Sequence, residues 1–179
     1  MSLLCLEFLN SGWYCTHETC ADPLLDPSWL HAFCETWGFP YDGLSPRDAL
    51  ALVDYRERLD PLVRSLAERK TLTEEELDEL NRCLALGRAQ PKLVASEKGL
   101  TLQEVPCGSV LAWMEHRIAR SLAELAADSQ LERLKLCGNP ACGWVFFDES
   151  KNRSRKWCDN TCASLMKVRK HRALHRDGA

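Results

Sequence analysis

Four cysteines near the end of the chain have the clearest chemical signature in this sequence. Cys137 and Cys142 are separated by four residues, Cys158 and Cys162 by three, and fifteen residues lie between the two pairs. Two close cysteine pairs at this separation are typical of a structural zinc site. Four thiolates complete the tetrahedral shell of zinc and leave no position for water. The spacing therefore predicts one structural Zn²⁺ that supports folding and not catalysis; four unliganded thiols would not account for the paired spacing.

The other cysteines and the N-terminus indicate where the protein works. Residues 1–10 lack a basic region and include Glu7, so they do not resemble a signal peptide. No apolar run approaches the roughly 20 residues that span a bilayer, so no membrane association is expected. We therefore expect a cytoplasmic protein, in which cysteines stay reduced and metal binding is favoured over disulfides.

A second metal site is conceivable at the N-terminal end. Cys15 and Cys20 repeat the four-residue spacing, and His17, His31 and Cys34 are near them in sequence. No second close cysteine pair accompanies them, so these residues are predicted to be core or surface thiols and imidazoles.

Helix signals dominate the first half of the chain. Ser28 is the expected cap of a helix that ends at Gly38, and a longer helix begins at Ser45 and is predicted to kink at Pro61. The apolar positions of the longer helix have imperfect helical spacing: Leu50, Val53, Leu59, Leu62, Val63 and Leu66. The tryptophans are predicted to pack in the core rather than to line a ligand pocket: Trp13, Trp29, Trp37 and Trp113.

Further signals complete this first part. Thr73 and Glu76 predict a capping box at the start of a helix with an apolar face that comprises Leu77, Leu80 and Leu84. Residues 91–96 and 100–105 predict a β-hairpin, and apolar residues at helical spacing predict a helix over about 109–127. The fold class is therefore α+β, with a mainly helical N-terminal domain over residues 1–132 and a small zinc finger over 133–179.

Local signals also predict the order of elements in the finger. Residues 138–141 can form a tight knuckle, and residues 144–147 are strand-like. Lys156 and Trp157 are expected to return as the second strand, before Asp159 or Asn160 caps a helix that contains Cys162. A knuckle, a hairpin and a helix that carries the last ligand resemble a treble-clef zinc finger.

Charge is distributed unevenly along the chain. Residues 1–132 contain 12 basic and 22 acidic residues, whereas residues 133–179 contain 11 basic and 4 acidic residues. The basic side chains expected to face nucleic acid are Lys151, Arg153, Arg155, Lys156, Lys167, Arg169, Lys170, Arg172 and Arg176. An alternative is that the basic end docks on the acidic body of the same chain. His171 and His175, four residues apart, are expected to face solvent or phosphate rather than metal.

The finger segment resembles a known family. Residues 137–172 contain Cys-Gly-x-x-x-Cys-Gly-Trp and then Asn-Arg-Ser-Arg-Lys-Trp-Cys, as in the CGNR zinc finger. The preceding chain resembles the ABATE domain, which precedes that finger in bacterial proteins described as candidate stress-induced transcription regulators. Short matches carry this second resemblance, namely residues 4–11, 22–24 and 91–94. The resemblance implies that the family's zinc ligands are Cys137, Cys142, Cys158 and Cys162.

One departure from the family pattern concerns the fourth ligand. The family takes its name from Cys-Gly-Asn-Arg, whereas this chain has Cys162 followed by Ala163, Ser164 and Leu165. The cysteine is kept, so zinc binding is still expected. If the family's Arg contacts DNA, that contact is lost here.

These features together predict a bacterial transcription regulator that binds DNA through its finger and responds to stress. The N-terminal domain would sense a ligand or partner, or mediate homodimerisation. The alternative is an adaptor whose finger binds RNA or a protein, with Trp144, Phe146, Phe147 and Trp157 stacking on unpaired bases. No Gly-rich phosphate loop or nucleophile elbow is present in the sequence, so an enzyme is not expected.

Overall fold

The computed structural model describes residues 3–17, 21–96 and 99–176. Six α-helices lie within these ranges: α1 Leu4–His17, α2 Pro27–Trp37, α3 Pro46–Arg69, α4 Glu74–Leu84, α5 Val110–Ala127 and α6 Asn160–Arg176. Four strands form two antiparallel pairs: β1 Arg88–Ser96 with β2 Gly99–Cys107, and β3 Leu134–Leu136 with β4 Val145–Phe147. This arrangement confirms the predicted α+β class. No described helix has the length and apolar character needed to cross a membrane.

The start of α2 differs from the prediction. Asp26, not Ser28, caps this helix, because its carboxylate accepts a hydrogen bond from the amide of Ser28 at 2.8 Å. Pro27 occupies the first turn, where its missing N–H costs nothing, so the residue before it takes the capping position. The end of α2 is as predicted, at Gly38 in the left-handed conformation.

Helix α3 runs unbroken from Pro46 to Arg69 although it contains Pro61. A proline has no N–H, so the backbone carbonyl of Glu57 lacks its usual helical donor. The predicted start of this helix at Ser45 is confirmed, and Ser45 forms a capping box with Asp48. The predicted apolar stripe was wrong at Leu50, which is 56% exposed.

Helix α4 and the β1–β2 hairpin come next in the chain. Thr73 and Glu76 form the predicted capping box, with a hydrogen bond in each direction. Leu80 is buried, but Leu77 is half exposed, which corrects its assignment to the apolar face. Leu93 and Leu102 face each other across the hairpin, and both remain exposed, because the end of the hairpin extends beyond the helical core.

The main core lies between α1, α3 and α5. Large side chains from each helix are fully buried there: Phe8, Leu52, Tyr55, Leu59, Leu66, Met114, Ile118 and Leu122. The Tyr55 hydroxyl donates to the backbone oxygen of Glu115 at 2.7 Å, so this buried phenol keeps a hydrogen-bond partner. Trp113 is also buried, and Trp29 and Trp37 pack partly buried against the core.

The β3–β4 pair belongs to the same core as the helices. Leu134 and Val145 are buried in it, although both follow residue 132. The Lys70 ammonium group donates a hydrogen bond to the backbone oxygen of Leu134. The first strands of the finger are therefore packed on the helical part, while the division into domains at residue 132 stays a prediction.

Candidate metal centre and nucleic-acid interface

The four predicted zinc ligands converge at one point. The sulfur atoms of Cys137, Cys142, Cys158 and Cys162 all lie within 4.8 Å of one another. Tetrahedral zinc with Zn–S bonds of about 2.3 Å places its sulfur ligands roughly 3.8 Å apart. The Sγ atoms of Cys142 and Cys158 are 3.7 Å apart. The donor set therefore fits one structural zinc ion.

The backbone of the knuckle positions the first cysteine pair. The amide of Cys137 donates to the oxygen of Trp144 at 2.8 Å, and the amide of Cys142 donates to the oxygen of Asn139 at 2.9 Å. The amide of Gly138 donates to the oxygen of Lys156 at 2.7 Å. A Cβ at Gly138 would lie 2.9 Å from that oxygen, so the close approach requires glycine.

The second pair is positioned by the start of α6. Asp159 accepts a hydrogen bond from the amide of Cys162 at 2.8 Å, which confirms Asp159 as the expected cap. Cys158 lies just before the helix, and its amide donates to the sulfur of Cys137 at 3.5 Å. The metal would thus join the knuckle to the first turn of α6.

The predicted second strand of the finger was wrong. Lys156 and Trp157 form no strand, and β4 pairs instead with β3, which precedes the knuckle. Asp148 explains the difference, because it holds the chain after β4 in a loop. Its carboxylate accepts from the amides of Ser150 and Arg155, both at 2.9 Å.

Asp148 is also the electrostatic centre of this loop. Its side chain is fully buried and pairs with the ammonium group of Lys135 at 2.7 Å. Burial alone would raise the pKa of Asp148, but the hydrogen bonds from Lys135, Ser150 and Arg155 outweigh burial and hold the pKa far below its usual value. In the sequence, this role is visible only as an aspartate in a turn-like segment.

Asn139 is a second residue that sequence reasoning missed. Its buried amide nitrogen donates to the sulfur of Cys162 at 3.5 Å. Its oxygen accepts from the guanidinium of Arg169 at 3.1 Å and from the amide of Ala141 at 3.3 Å. One side chain therefore links the knuckle, a zinc ligand and the middle of α6.

Before metal binds, the pKa values of Cys137, Cys142 and Cys158 are shifted in different directions. Burial raises the pKa of Cys142 and of Cys158. Burial also opposes ionisation of Cys137, but hydrogen bonds from the backbone of Asn139 and Cys158 lower its pKa overall. Zinc binding would displace the protons of these thiols, so metal binding is coupled to folding of the segment.

The structure sorts the predicted nucleic-acid residues into two groups. Five are exposed and, among the described residues, make no hydrogen bond or ion pair: Lys151, Lys156, Lys167, Lys170 and Arg172. Three others, although exposed, are used within the chain. Arg153 pairs with Glu132, Arg155 donates to the backbone of the second cysteine pair and lies over the ring of Phe146, and Arg169 donates to Asn139. The side chain of Arg176 lies outside the described residues.

The aromatic residues of the finger are packed. Phe146 is buried, and Trp144, Phe147 and Trp157 are half-buried. The ring of Trp144 lies edge-on to the ring of Trp13, with centroids 5.6 Å apart. This packing leaves little ring surface of the kind that stacks on unpaired bases.

A cavity of about 650 Å³ separates the knuckle from α1 and α3. Trp13, predicted as core, lies in its wall, together with His17 and the knuckle residues Pro140 to Gly143. Cys20, half of the second cysteine pair, lies outside the described residues. Among the residues that the structure describes, the four finger cysteines are the one group arranged to hold a metal.

Comparison with known families agrees with this geometry. Residues 133–175 match the family model of the CGNR zinc finger. Residues 3–129 match the ABATE model, whose description is "Putative stress-induced transcription regulator". No curated protein matches the chain. The ABATE match covers well over half of the sequence and the finger match includes all four converging cysteines, so the chain belongs to the ABATE family and ends in a CGNR zinc finger.

Proposed function

We propose that this chain is a bacterial transcription regulator that binds duplex DNA through α6 and the loop of residues 148–156. The observation that carries the proposal is the set of five exposed basic side chains without partners in the described chain. The zinc site holds their two supporting segments together, because Cys158 follows the loop by two residues and Cys162 lies in the first turn of α6.

The placement of these groups on α6 suits a phosphate backbone. Lys167 and Lys170 are three residues apart and therefore neighbours on the helix surface. The side of α6 that bears Cys162 and Arg169 is turned toward the knuckle, so Lys167 lies near the opposite, open side. Cations on such a surface displace the counterions of DNA and provide sequence-independent affinity.

Few of the predicted basic side chains form ion pairs with the acidic N-terminal part, residues 1–132. Of the nine predicted residues, Arg153 forms the one described ion pair with residues 1–132, through Glu132. The alternative of a basic tail docked on its own domain therefore receives no support from the five open groups. RNA is a weaker candidate partner than DNA, because the finger aromatics are packed.

The other parts of the proposal rest on the family description and the site. Four thiolates leave zinc no open position, which supports a binding protein and not an enzyme. The ABATE description supports a role in stress response, and a bacterial transcription regulator acts in the cytoplasm, so we include that location in the proposal. A single finger gains effective affinity from a second copy, so we include a homodimer in the proposal, with light scattering as its test.

The proposal is tested by fluorescence anisotropy with a labelled random duplex across a salt series. The double variant Lys167→Gln, Lys170→Gln should weaken binding and lower the salt slope by about 1.8, for two lost phosphate contacts. Lys92→Gln, an exposed lysine on β1, is the matched control and should leave binding unchanged. Chelation of zinc should abolish the salt-dependent binding.

Two results would oppose the proposal. One is no binding at low salt by protein with one zinc per chain. The other is equal loss of binding in Lys92→Gln and in the double variant. Competition by single-stranded RNA at lower concentration than duplex DNA would favour the adaptor alternative.

A further inference from the structure

The cavity between the helical part and the knuckle has the composition of a ligand site. Its volume of about 650 Å³ is within the range of small-molecule pockets, roughly 300–1,000 Å³. Apolar groups in its lining include Leu9, Trp13, Pro61 and Pro140, and charged groups from α3 complete one wall. No part of the proposed DNA interface uses this cavity, so a ligand could bind there whether or not the protein binds DNA.

One end of the charged wall offers unused donors. The Nε of Arg64 donates to Asp60 at 2.5 Å, but its two terminal nitrogens have no described acceptor. Both nitrogens lie 3.9 Å from the position that a Cβ at Gly143 would occupy. The guanidinium thus sits beside the knuckle with free N–H groups, an arrangement that suits a carboxylate.

The other end of the wall offers unused acceptors. Glu57 lines the cavity and is exposed; it interacts electrostatically with Arg56 but forms no described ion pair or hydrogen bond. The exposed carboxylate of Glu57 suits an ammonium group.

The remaining charges in the lining are already satisfied. Arg56 is buried, and its guanidinium donates to Asp22 and to the hydroxyl of Ser11. His17 is bound on both sides, through Nδ1 to the oxygen of Trp13 at 3.0 Å and through Nε2 to the oxygen of Ala141 at 2.6 Å. These groups build the wall, and the Glu57 carboxylate and the terminal nitrogens of Arg64 are left to meet a ligand.

The separation of Glu57 and Arg64 along α3 sets the length of the ligand. Glu57 and Arg64 are seven residues apart on one face of α3, a rise of about 10 Å along the helix. An extended peptide spans about 3.3–3.6 Å per residue, so three residues cover this distance. We propose that the cavity binds a short free peptide of three residues, with its ammonium group at Glu57 and its carboxylate at Arg64.

The apolar part of the lining adds a preference for an apolar middle side chain. Trp13 of α1 and Pro140 of the knuckle both line the cavity. A bound peptide therefore touches both the helical part and the zinc finger. This contact gives the N-terminal domain a means to sense a small metabolite at the base of the finger.

Isothermal titration calorimetry on the zinc-loaded full-length protein tests the proposal with the tripeptide Ala-Leu-Ala. The free peptide should bind saturably. Acetylation of the peptide's N-terminus should weaken its binding to the wild-type protein about tenfold or more, and Glu57→Gln should do the same to binding of the free peptide. Amidation of the peptide's C-terminus and the variant Arg64→Gln should each have an effect of the same size. Arg47→Gln and Glu68→Gln, exposed charges on α3 outside the cavity, should bind like wild type.

The free and blocked peptides are all titrated into the wild-type protein, so a difference in their binding cannot come from a variant that folds poorly. No saturable heat up to about 10 mM free peptide, where even a 1 mM complex would be detected, overturns the proposal. Equal binding of the doubly blocked peptide also overturns it, because charge recognition at both ends would then be absent. Neither result depends on whether the protein binds DNA.

Discussion

The side chain of Asn10 in α1 is joined to the backbone of Val145 in β4 by two hydrogen bonds. The Asn10 amide nitrogen donates to the Val145 oxygen at 2.8 Å, and the Val145 amide donates to the Asn10 oxygen at 3.0 Å. Both residues are buried. The Asn10 side chain thus pairs with the backbone of Val145 as a neighbouring strand would, and it connects the β3–β4 pair to α1.

Replacing Asn10 by Ala should destabilise the protein by about 2 kcal/mol, because it leaves two buried backbone groups without partners. Urea unfolding followed by circular dichroism measures this loss. Asn81→Ala, an exposed asparagine on α4, is the control and should change stability by less than about 0.5 kcal/mol. Equal stability of the two variants would show that the hydrogen bonds to Val145 contribute nothing.

Removing one zinc ligand should unfold the finger and leave the helical core in place. Cys158→Ser should lower bound zinc from about one ion per chain and expose residues 149–162 to proteolysis, since the part of the finger after β4 has little apolar core of its own. Elemental analysis and limited proteolysis measure the two effects. Cys107→Ser, a half-buried cysteine on β2, should keep both metal and protection. Full zinc content in Cys158→Ser would contradict the assigned ligand set.

Replacing Asp22 by Asn should destabilise the folded protein by about 3 kcal/mol at neutral pH. The Asp22 carboxylate pairs with Arg56, whose side chain is 7% exposed, and the substitution leaves that charge buried and unpaired. Burial opposes ionisation of Asp22, but hydrogen bonds from Arg56 and from the amide of Leu24 outweigh burial and lower its pKa.

The pH dependence of this effect has a definite sign. Because the pKa of Asp22 is lower in the folded than in the unfolded state, its stabilisation is fully present above about pH 5 and is lost as the pH falls below about 4. The stability difference between wild type and Asp22→Asn should shrink over that range. Comparing both proteins at each pH cancels effects of zinc release that they share, and a difference that grows on acidification would refute the assignment.

Replacing Asp148 by Asn should loosen the loop between β4 and the second cysteine pair. The neutral side-chain amide of Asn cannot form an ion pair with Lys135. We therefore expect the folded protein to lose about 2 kcal/mol of stability and to bind zinc more weakly. Competition with a chromophoric chelator measures the zinc affinity. Glu149→Gln, at the neighbouring exposed position, is the control. Unchanged affinity in Asp148→Asn would mean that the metal alone holds the loop.

Restoring an arginine at the position of Leu165 should strengthen DNA binding. Leu165 lies on α6 and is 47% exposed, with Val168 equally exposed three residues later. Leu165→Arg adds a cation to the basic helix, and one new phosphate contact would raise affinity about three- to tenfold at 0.1 M salt and steepen the salt slope by about 0.9. Leu77→Arg, a half-exposed leucine on α4, should not change affinity. A gain in both variants would indicate only a net-charge effect.

The sequence alone indicated the metal site and several of the helix boundaries, although it gave no sign of α1. The spacing of Cys137, Cys142, Cys158 and Cys162 was sufficient because structural zinc requires four ligands, and two close pairs are a typical way to supply them. Caps such as Ser45 and Thr73 were predictable because they depend on residues within one helical turn. The α+β class could be inferred from these local patterns.

Tertiary structure decided the features that depend on residues far apart in the chain. Asn10 and Val145 are 135 positions apart, and no local pattern indicates that they meet. Strand β4 pairs with β3 and not with residues 156–157. The buried carboxylate of Asp148 accepts a hydrogen bond from the amide of Arg155 and so holds the chain before residues 156–157 in a loop. The cavity between α3 and the knuckle, and the separation of five open basic side chains from three that are bound, likewise exist only once the chain has packed.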